Sequence, residues 1–88
     1  MKIKDIRCLE TNETRTDSKY LSRIGCTVEF MFEPAVDEAM FLEYVLDNQG
    51  NEKGGYLQTS RVEDIVETDT EIVVTTRNSV YYLEKESV

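Results

Sequence analysis

The densest cluster of chemically capable side chains in this sequence is the acidic run from Glu63 to Glu71, EDIVETDTE. It carries five carboxylates and no basic residue. Such oxygen ligands bind divalent cations, but the run lacks the D-x-[DN]-x-[DN]-G spacing of a calcium loop. Neighbouring carboxylates become an acid–base pair only where burial separates their pKa values. We interpret the run as a solvated acidic rim, with a weak cation site and a docking patch for a basic partner as alternatives.

The sequence offers little for catalysis. Histidine is absent, and with it the commonest general base and the usual partner of a nucleophilic serine or cysteine. The stretch from Gly50 to Gly55, GNEKGG, does not have the G-x-x-x-x-G-K-[ST] spacing of a phosphate-binding loop. We therefore predict no enzymatic activity, no catalytic residues and no cofactor.

Cys8 and Cys26 are the only cysteines. Without histidine, two thiols complete a four-ligand zinc site only if two carboxylates join them, so we expect no metal site. The opening residues, MKIKDIRC, lack the apolar run of a secretion signal, and no apolar run is long enough to cross a membrane. We expect a cytoplasmic protein whose reduced cysteines pack as small apolar side chains, with a redox-active or disulfide pair as the alternative.

The net charge of −8 is unevenly distributed. Residues 1–34 hold six basic and six acidic side chains, whereas residues 35–88 hold four basic and twelve acidic ones. An acidic field repels phosphate and anionic lipid, since binding to either depends on lysine and arginine. The sequence therefore predicts no binding to nucleic acid or membrane.

Alternating apolar residues predict two strands in the first part of the chain. From Ile24 to Phe32 every second residue is apolar, which indicates a half-buried strand. A weaker strand runs from Ile3 to Glu10, and the polar stretch between them, TNETRTDSK, reads as a long, mobile hairpin loop. If the two strands pair antiparallel with Cys8 opposite Cys26, the two thiols become cross-strand neighbours.

The segment from Pro34 to Asn48 is open to two interpretations. Pro34 at a first helical position and Gly50 beyond the end are typical of a helix. In a helix, however, the apolar residues would surround the axis instead of forming one stripe. A strand places four of them on one face: Met40, Leu42, Tyr44 and Leu46. We predict a strand from Met40 to Asp47, preceded by a turn or single helical turn at Pro34 to Glu38.

The last third predicts a turn at Asp47 to Gly55, a bent or interrupted strand through Val62, Ile65 and Val66, and then a β-hairpin. Its two-residue connection is Asn78-Ser79, because asparagine tolerates the positive φ of primed turns. Thr76 then faces Tyr81, and Val74 faces Leu83. The core face carries Ile72, Val74, Thr76, Tyr81 and Leu83. The opposite face carries Val73, Thr75, Arg77, Val80, Tyr82 and Glu84.

These elements predict an all-β fold in a single domain, residues 1–88. Five or six short strands joined by polar turns favour a small SH3-like or OB-like antiparallel barrel. The alternative is α+β, with one helix from Pro34 to Asn48 on an antiparallel sheet.

The function we expect is that of a small acidic protein-interaction module or adaptor without catalytic activity. Its partner would be a basic protein or a second copy of the chain, since an apolar centre with a polar rim suits an interface. The predicted contact residues are Val73, Arg77, Val80, Tyr82, Glu63, Asp64 and Glu67. The alternatives are a self-assembling structural or accessory subunit and an acidic mimic of nucleic acid.

Overall fold

Six antiparallel strands form a closed ring in the computed structural model, which describes residues 1–86. The elements are β1 (Lys2–Cys8), α1 (Ser18–Leu21), β2 (Thr27–Phe30), β3 (Ala39–Leu46), β4 (Tyr56–Glu67), β5 (Glu71–Thr76) and β6 (Ser79–Glu84). Each strand pairs with its neighbours in chain order, and β6 returns to pair with β1. This order distinguishes the barrel from the Greek key of OB-like barrels. The prediction of a small antiparallel barrel of five to six strands is confirmed.

The segment from Pro34 to Asn48 contains a strand, so the α+β alternative is wrong. Met40 and Leu42 are buried on the inward face of β3, while Glu43 points outward and is exposed. The residues from Pro34 to Glu38, whose types are typical of a helix start, form a loop instead, with Asp37 at a φ of 73°. Apolar side chains spread around a helix axis cannot all be buried on one side, whereas period-two alternation buries half of them against the core.

β4 is a single bent strand that pairs with two neighbouring strands. Its first half pairs with β3 and its second half pairs with β5, and the register shifts between Val62 and Asp64. An extra residue in one strand of an antiparallel pair bends that strand and increases its twist. The predicted bent strand is therefore confirmed, with the bend at the bulge.

The connection of the last hairpin is Arg77-Asn78, so the predicted Asn78-Ser79 connection is wrong. Val74 lies opposite Tyr81 and Thr75 opposite Val80. The Thr76 Oγ1 hydroxyl donates to the Ser79 carbonyl at 3.0 Å and accepts from the Ser79 N–H at 3.1 Å, which places these two residues across from each other. Because pairing is displaced by two residues, each side chain keeps its face. The five predicted core residues of the hairpin are all buried.

β1 pairs chiefly with β6, and it meets β2 in register only at Lys2 and Thr27. Cys8 consequently lies opposite Ser79 and not opposite Cys26, and both thiols are free. The register that would place Cys8 opposite Cys26 is not formed, because the closing partner of β1 comes from the far end of the chain. Local alternation carries no information about that pairing.

The polar stretch between β1 and β2 is bound to the barrel and contains α1. The Arg15 backbone N–H donates to the Ile6 carbonyl at 2.8 Å, and Arg15 Nε donates to Ser79 Oγ at 2.7 Å. The guanidinium groups of Arg15 and Arg23 lie 4.7 and 5.4 Å from the ring centroid of Tyr20. The predicted hairpin loop thus contains part of a short helix, and hydrogen bonds and cation–π contacts attach the segment to the barrel.

The core lies inside the ring and draws on every strand. The buried hydrophobic side chains are Ile3, Ile6, Cys26, Val28, Met40, Leu42, Leu57, Val62, Ile72, Val74, Tyr81 and Leu83. A small barrel encloses just enough space for its inward side chains to fill. Phe32, which the alternation placed on the inward face, lies beyond the end of β2 and is exposed.

Replacing Thr76 tests the hydrogen bonds that set the hairpin turn. Thr76→Val removes a buried hydroxyl and leaves the Ser79 N–H and C=O without their partner, so we expect a loss of about 1–3 kcal/mol in the free energy of unfolding. Thr76→Ser keeps the hydroxyl and should lose roughly 1 kcal/mol or less. Urea denaturation measures both, and a Thr76→Val protein as stable as the wild type would contradict this account of the turn.

Candidate functional site

The first candidate surface is the outward side of the last hairpin and its neighbour β4. Val73 lies opposite Tyr82 on one side and opposite Val66 on the other, and Val80 lies opposite Thr75. Val73, Val80 and Tyr82 are half-buried, whereas Val66 is 50% exposed. These four residues form what we call the hairpin face. The structure thus brings together the three apolar residues proposed from the sequence.

Arg7 covers part of the hairpin face. Its guanidinium carbon lies 5.3 Å from the ring centroid of Tyr82, and its Nε donates to Asp5 Oδ2 at 2.8 Å. Thr14 Oγ1 donates to Asp5 Oδ1 at 2.9 Å. Partial burial raises the pKa of Asp5, but hydrogen bonds from Arg7, Thr14 and the Ile6 N–H outweigh it and leave this pKa below its ordinary value. A fixed ion pair therefore caps the aromatic member of this surface.

The charged residues proposed for the same surface are dispersed. Asp64 lies opposite Thr75 and borders the hairpin face, while Glu63 is exposed at the bulge. Glu67 lies opposite the buried Ile72, which places it on the other side of the sheet, and it accepts a 2.7 Å bond from Lys85 Nζ. Arg77 is exposed in the turn beyond β5. The carboxylates of the acidic run thus point to different sides of β4.

The dispersal of these carboxylates also bears on metal binding. Among residues 1–86, no three side chains of the metal-ligating types Asp, Glu, Cys or His converge in a way that could hold a metal ion.

The second candidate surface is a row of three rings that the sequence analysis did not identify. Phe32 and Tyr56 are 65% and 58% exposed, and the half-buried Phe41 lies between them. The Phe32 and Phe41 ring centroids are 5.8 Å apart in an edge-to-face contact, and those of Phe41 and Tyr56 are 6.2 Å apart. We call these three residues the aromatic strip. Contacting rings on the outside of a barrel add little to its core and are typical of interface anchors.

Two carboxylates of like charge adjoin the aromatic strip. Glu29 on β2 lies opposite Glu43 on β3, and Glu43 lies opposite Tyr56 on β4. Like charges directly opposite each other destabilise an antiparallel pair. Both carboxylates are exposed, and neither takes part in any of the ion pairs within residues 1–86. Within residues 1–86, therefore, no ion pair neutralises the negative charge that borders the strip.

A notch of about 160 Å³ opens at the Phe32 end of the strip. Its lining residues are Phe32, Glu33, Pro34, Glu38, Ala39, Met40 and Phe41. Glu33 and Pro34 also border a second groove of about 420 Å³ lined by Phe30, Ile65, Glu67 and Ile72. The loop between β2 and β3 thus lies between the two concavities.

The sequence contained two signals for this surface. Residues 24–52 hold seven acidic and no basic side chains, together with three phenylalanines. Phe41 also falls on the polar side of the alternation in β3, beside Glu43, which places an aromatic ring outside. Phe32 was misassigned because the alternation from Ile24 continues past the point where β2 ends.

The two thiols differ in environment. Hydrogen bonds from the backbone N–H groups of Thr11 and Glu10 lower the pKa of Cys8, whereas burial raises the pKa of Cys26. The Cys26 Sγ lies 3.3 Å from the Ser22 carbonyl, to which it donates. Thiolate character and access together determine thiol reactivity.

Within residues 1–86, no helix combines the length and apolar character needed to cross a membrane. Comparisons of the chain with protein-family models, with curated proteins and with solved structures give no match.

Asp5→Asn tests the ion pair that caps the hairpin face. A depressed folded-state pKa means that ionised Asp5 stabilises the fold above its unfolded-state pKa of 3.8, and that this contribution disappears as pH falls through the folded-state value. We expect Asp5→Asn to be less stable than the wild type near neutral pH. In acid below the folded-state pKa of Asp5, the difference in stability between the two proteins should shrink. Urea denaturation near neutral pH and in acid measures the free energy of unfolding, with Asp69→Asn as the exposed control. A difference independent of pH would contradict this role of Asp5.

Alkylation tests the two thiol environments. We expect iodoacetamide to modify Cys8 in the folded protein, because Cys8 is accessible and its pKa is lowered, and to modify Cys26 only after denaturant is added. Peptide mass spectrometry distinguishes the two sites. Equal labelling of both cysteines in the folded protein would contradict the burial of Cys26.

Proposed function

We propose that this protein is a non-enzymatic interaction module that binds a basic protein partner through the aromatic strip. One observation carries the proposal: three contacting rings, two of them more than half exposed, lie beside the unneutralised Glu29–Glu43 pair. Aromatic side chains supply most of the binding energy in many interfaces, and a polar rim around them sets orientation and partner choice.

Charge supports a basic partner. The chain carries a net charge of −8, so a cationic protein approaches it faster than a neutral one at low ionic strength. A lysine or arginine placed between Glu29 and Glu43 would convert a repulsive pair into two attractive contacts. The same field disfavours nucleic acid and anionic membranes as partners.

Two free cysteines fit a reducing compartment such as the cytoplasm.

Self-association through the hairpin face is a second candidate function. It is favoured by the continuous row of Val66, Val73 and Tyr82 across three strands, which presents a self-complementary apolar stripe. Val66→Asp should then reduce the solution mass measured by light scattering to that of one chain.

The nucleic-acid mimic has less support, because it needs carboxylates arrayed over one face and those of β4 point to both sides.

Affinity capture from an extract of the native cell tests the proposed function. We expect the wild type to retain a basic protein that the double variant Phe32→Ala/Tyr56→Ala loses, with affinity reduced by about 30-fold or more, as for interface anchors. The matched control is Leu21→Ala, an exposed apolar residue on α1. Urea denaturation should show all three proteins equally stable within about 0.5 kcal/mol, because the replaced side chains are exposed. Retention of the same partner by the double variant would refute the role of the strip.

A further inference from the structure

We propose that the notch at the end of the aromatic strip binds one arginine side chain of the partner, presented on an extended segment. This inference rests on the proposed function and specifies the chemistry of the ligand. The notch combines two rings, Phe32 and Phe41, with two carboxylates, Glu33 and Glu38. The neighbouring groove has one aromatic ring, Phe30, and one of its two carboxylates, Glu67, is already paired with Lys85.

The chemistry of the notch matches a guanidinium group. A guanidinium is planar, stacks on aromatic faces and donates paired hydrogen bonds to carboxylates. Glu33 and Glu38 take part in none of the ion pairs among residues 1–86, so their oxygens remain available to an incoming cation. A purely aliphatic side chain would desolvate both carboxylates without returning a hydrogen bond, which costs free energy. A lysine ammonium would satisfy the charge but would lack the planar stacking surface.

Backbone hydrogen bonds to β4 hold the end of the loop that carries Glu38. The Asp37 N–H donates to the Val62 carbonyl at 2.8 Å, and the Val62 N–H donates to the Glu38 carbonyl at 2.9 Å. These two bonds hold Asp37 in the left-handed region, at a φ of 73°, immediately before Glu38. Such a conformation is uncommon for residues other than glycine and persists where the surroundings enforce it. A site held in this way loses little conformational entropy on binding.

The spacing of the rings indicates an extended ligand. Successive centroids along the strip are 5.8 and 6.2 Å apart. In a β-type extended chain, alternate side chains point to the same side and are separated by about 6.4–6.8 Å, twice the rise per residue. Consecutive side chains on one side of such a segment therefore meet consecutive rings. With arginine seated in the notch, the segment continues past Phe41 toward Tyr56, beside Glu43.

Three blocked pentapeptides test the inference with the full chain. Each has glycine ends and two prolines flanking a central residue, which is arginine, lysine or citrulline; citrulline keeps the shape of arginine without its charge. We expect the arginine peptide to bind with a dissociation constant on the order of 1 mM, since one side chain supplies few contacts. The lysine peptide should bind several-fold more weakly, and citrulline should show no measurable binding. Amide chemical shifts should change at Glu33, Glu38 and Phe41.

Two double variants with the same charge change locate the site. Glu33→Gln/Glu38→Gln should weaken the arginine peptide by about tenfold or more, because both acceptors lose their charge. Glu63→Gln/Asp64→Asn removes the same two charges elsewhere and should leave the affinity within about twofold. Equal losses in both variants would overturn the inference, because they would show attraction to the net charge alone. Shift changes centred on Ile65 and Ile72, or on Tyr82, would also overturn it.

The outcomes separate this inference from the proposed function. If lysine and arginine peptides bind equally, the arginine pocket is wrong while a basic partner on the strip stands. If none of the peptides binds, the arginine pocket is again wrong, and the capture experiment with Phe32→Ala/Tyr56→Ala decides the proposed function by itself.

Discussion

The pairing of β1 with β6 closes the ring and thereby separates an inside from an outside. Ile3 opposite Leu83 and Ile6 opposite Tyr81 join the two ends of the sheet, so all inward side chains share one interior. That interior is filled mainly by aliphatic side chains, and Tyr81 is the one aromatic residue among its buried members within residues 1–86. Three further rings, those of Tyr20, Phe30 and Tyr44, pack against it only in part. Phe41 and Tyr56 lie outside because they alternate with buried neighbours along β3 and β4, and Phe32 lies outside because β2 ends before it.

The distribution of basic residues explains why the strip is acidic although residues 1–34 are neutral as a whole. All six basic side chains of that part precede Ile24. Three of them are engaged with the barrel: Arg7 with Asp5 and Tyr82, Arg15 with Ser79, and Arg23 with Tyr81. They stabilise the segment between β1 and β2, and none forms an ion pair with Glu29 or Glu43. Net charge over a stretch of sequence therefore says little about the field at a particular surface.

Local periodicity was sufficient to predict β3 and the facing of the last hairpin. Met40 and Leu42 on β3 alternate with outward residues, and so do Val74 and Leu83 on the hairpin. Because side chains on a strand alternate with a period of two, only one face of each strand can bury these residues. The turn was misplaced because the Thr76 hydroxyl, and not asparagine at positive φ, fixes the pairing. The partner of β1 was beyond local reasoning, since closure joins residues about eighty positions apart. The hairpin face followed from the pattern, whereas the notch depends on a loop whose path is set by Val62 on another strand.

Because β4 pairs with both β3 and β5, it connects the two candidate surfaces. Tyr56 of the aromatic strip and Val66 of the hairpin face lie on one continuous backbone, on either side of the bulge at Val62 and Asp64. A change in the angle between the two halves of β4 would move the two surfaces relative to each other. Two ligands whose affinities both depended on that angle would, by linkage, alter each other's affinity by the same factor. A molecule of this small size thus has the covalent means to couple two binding events.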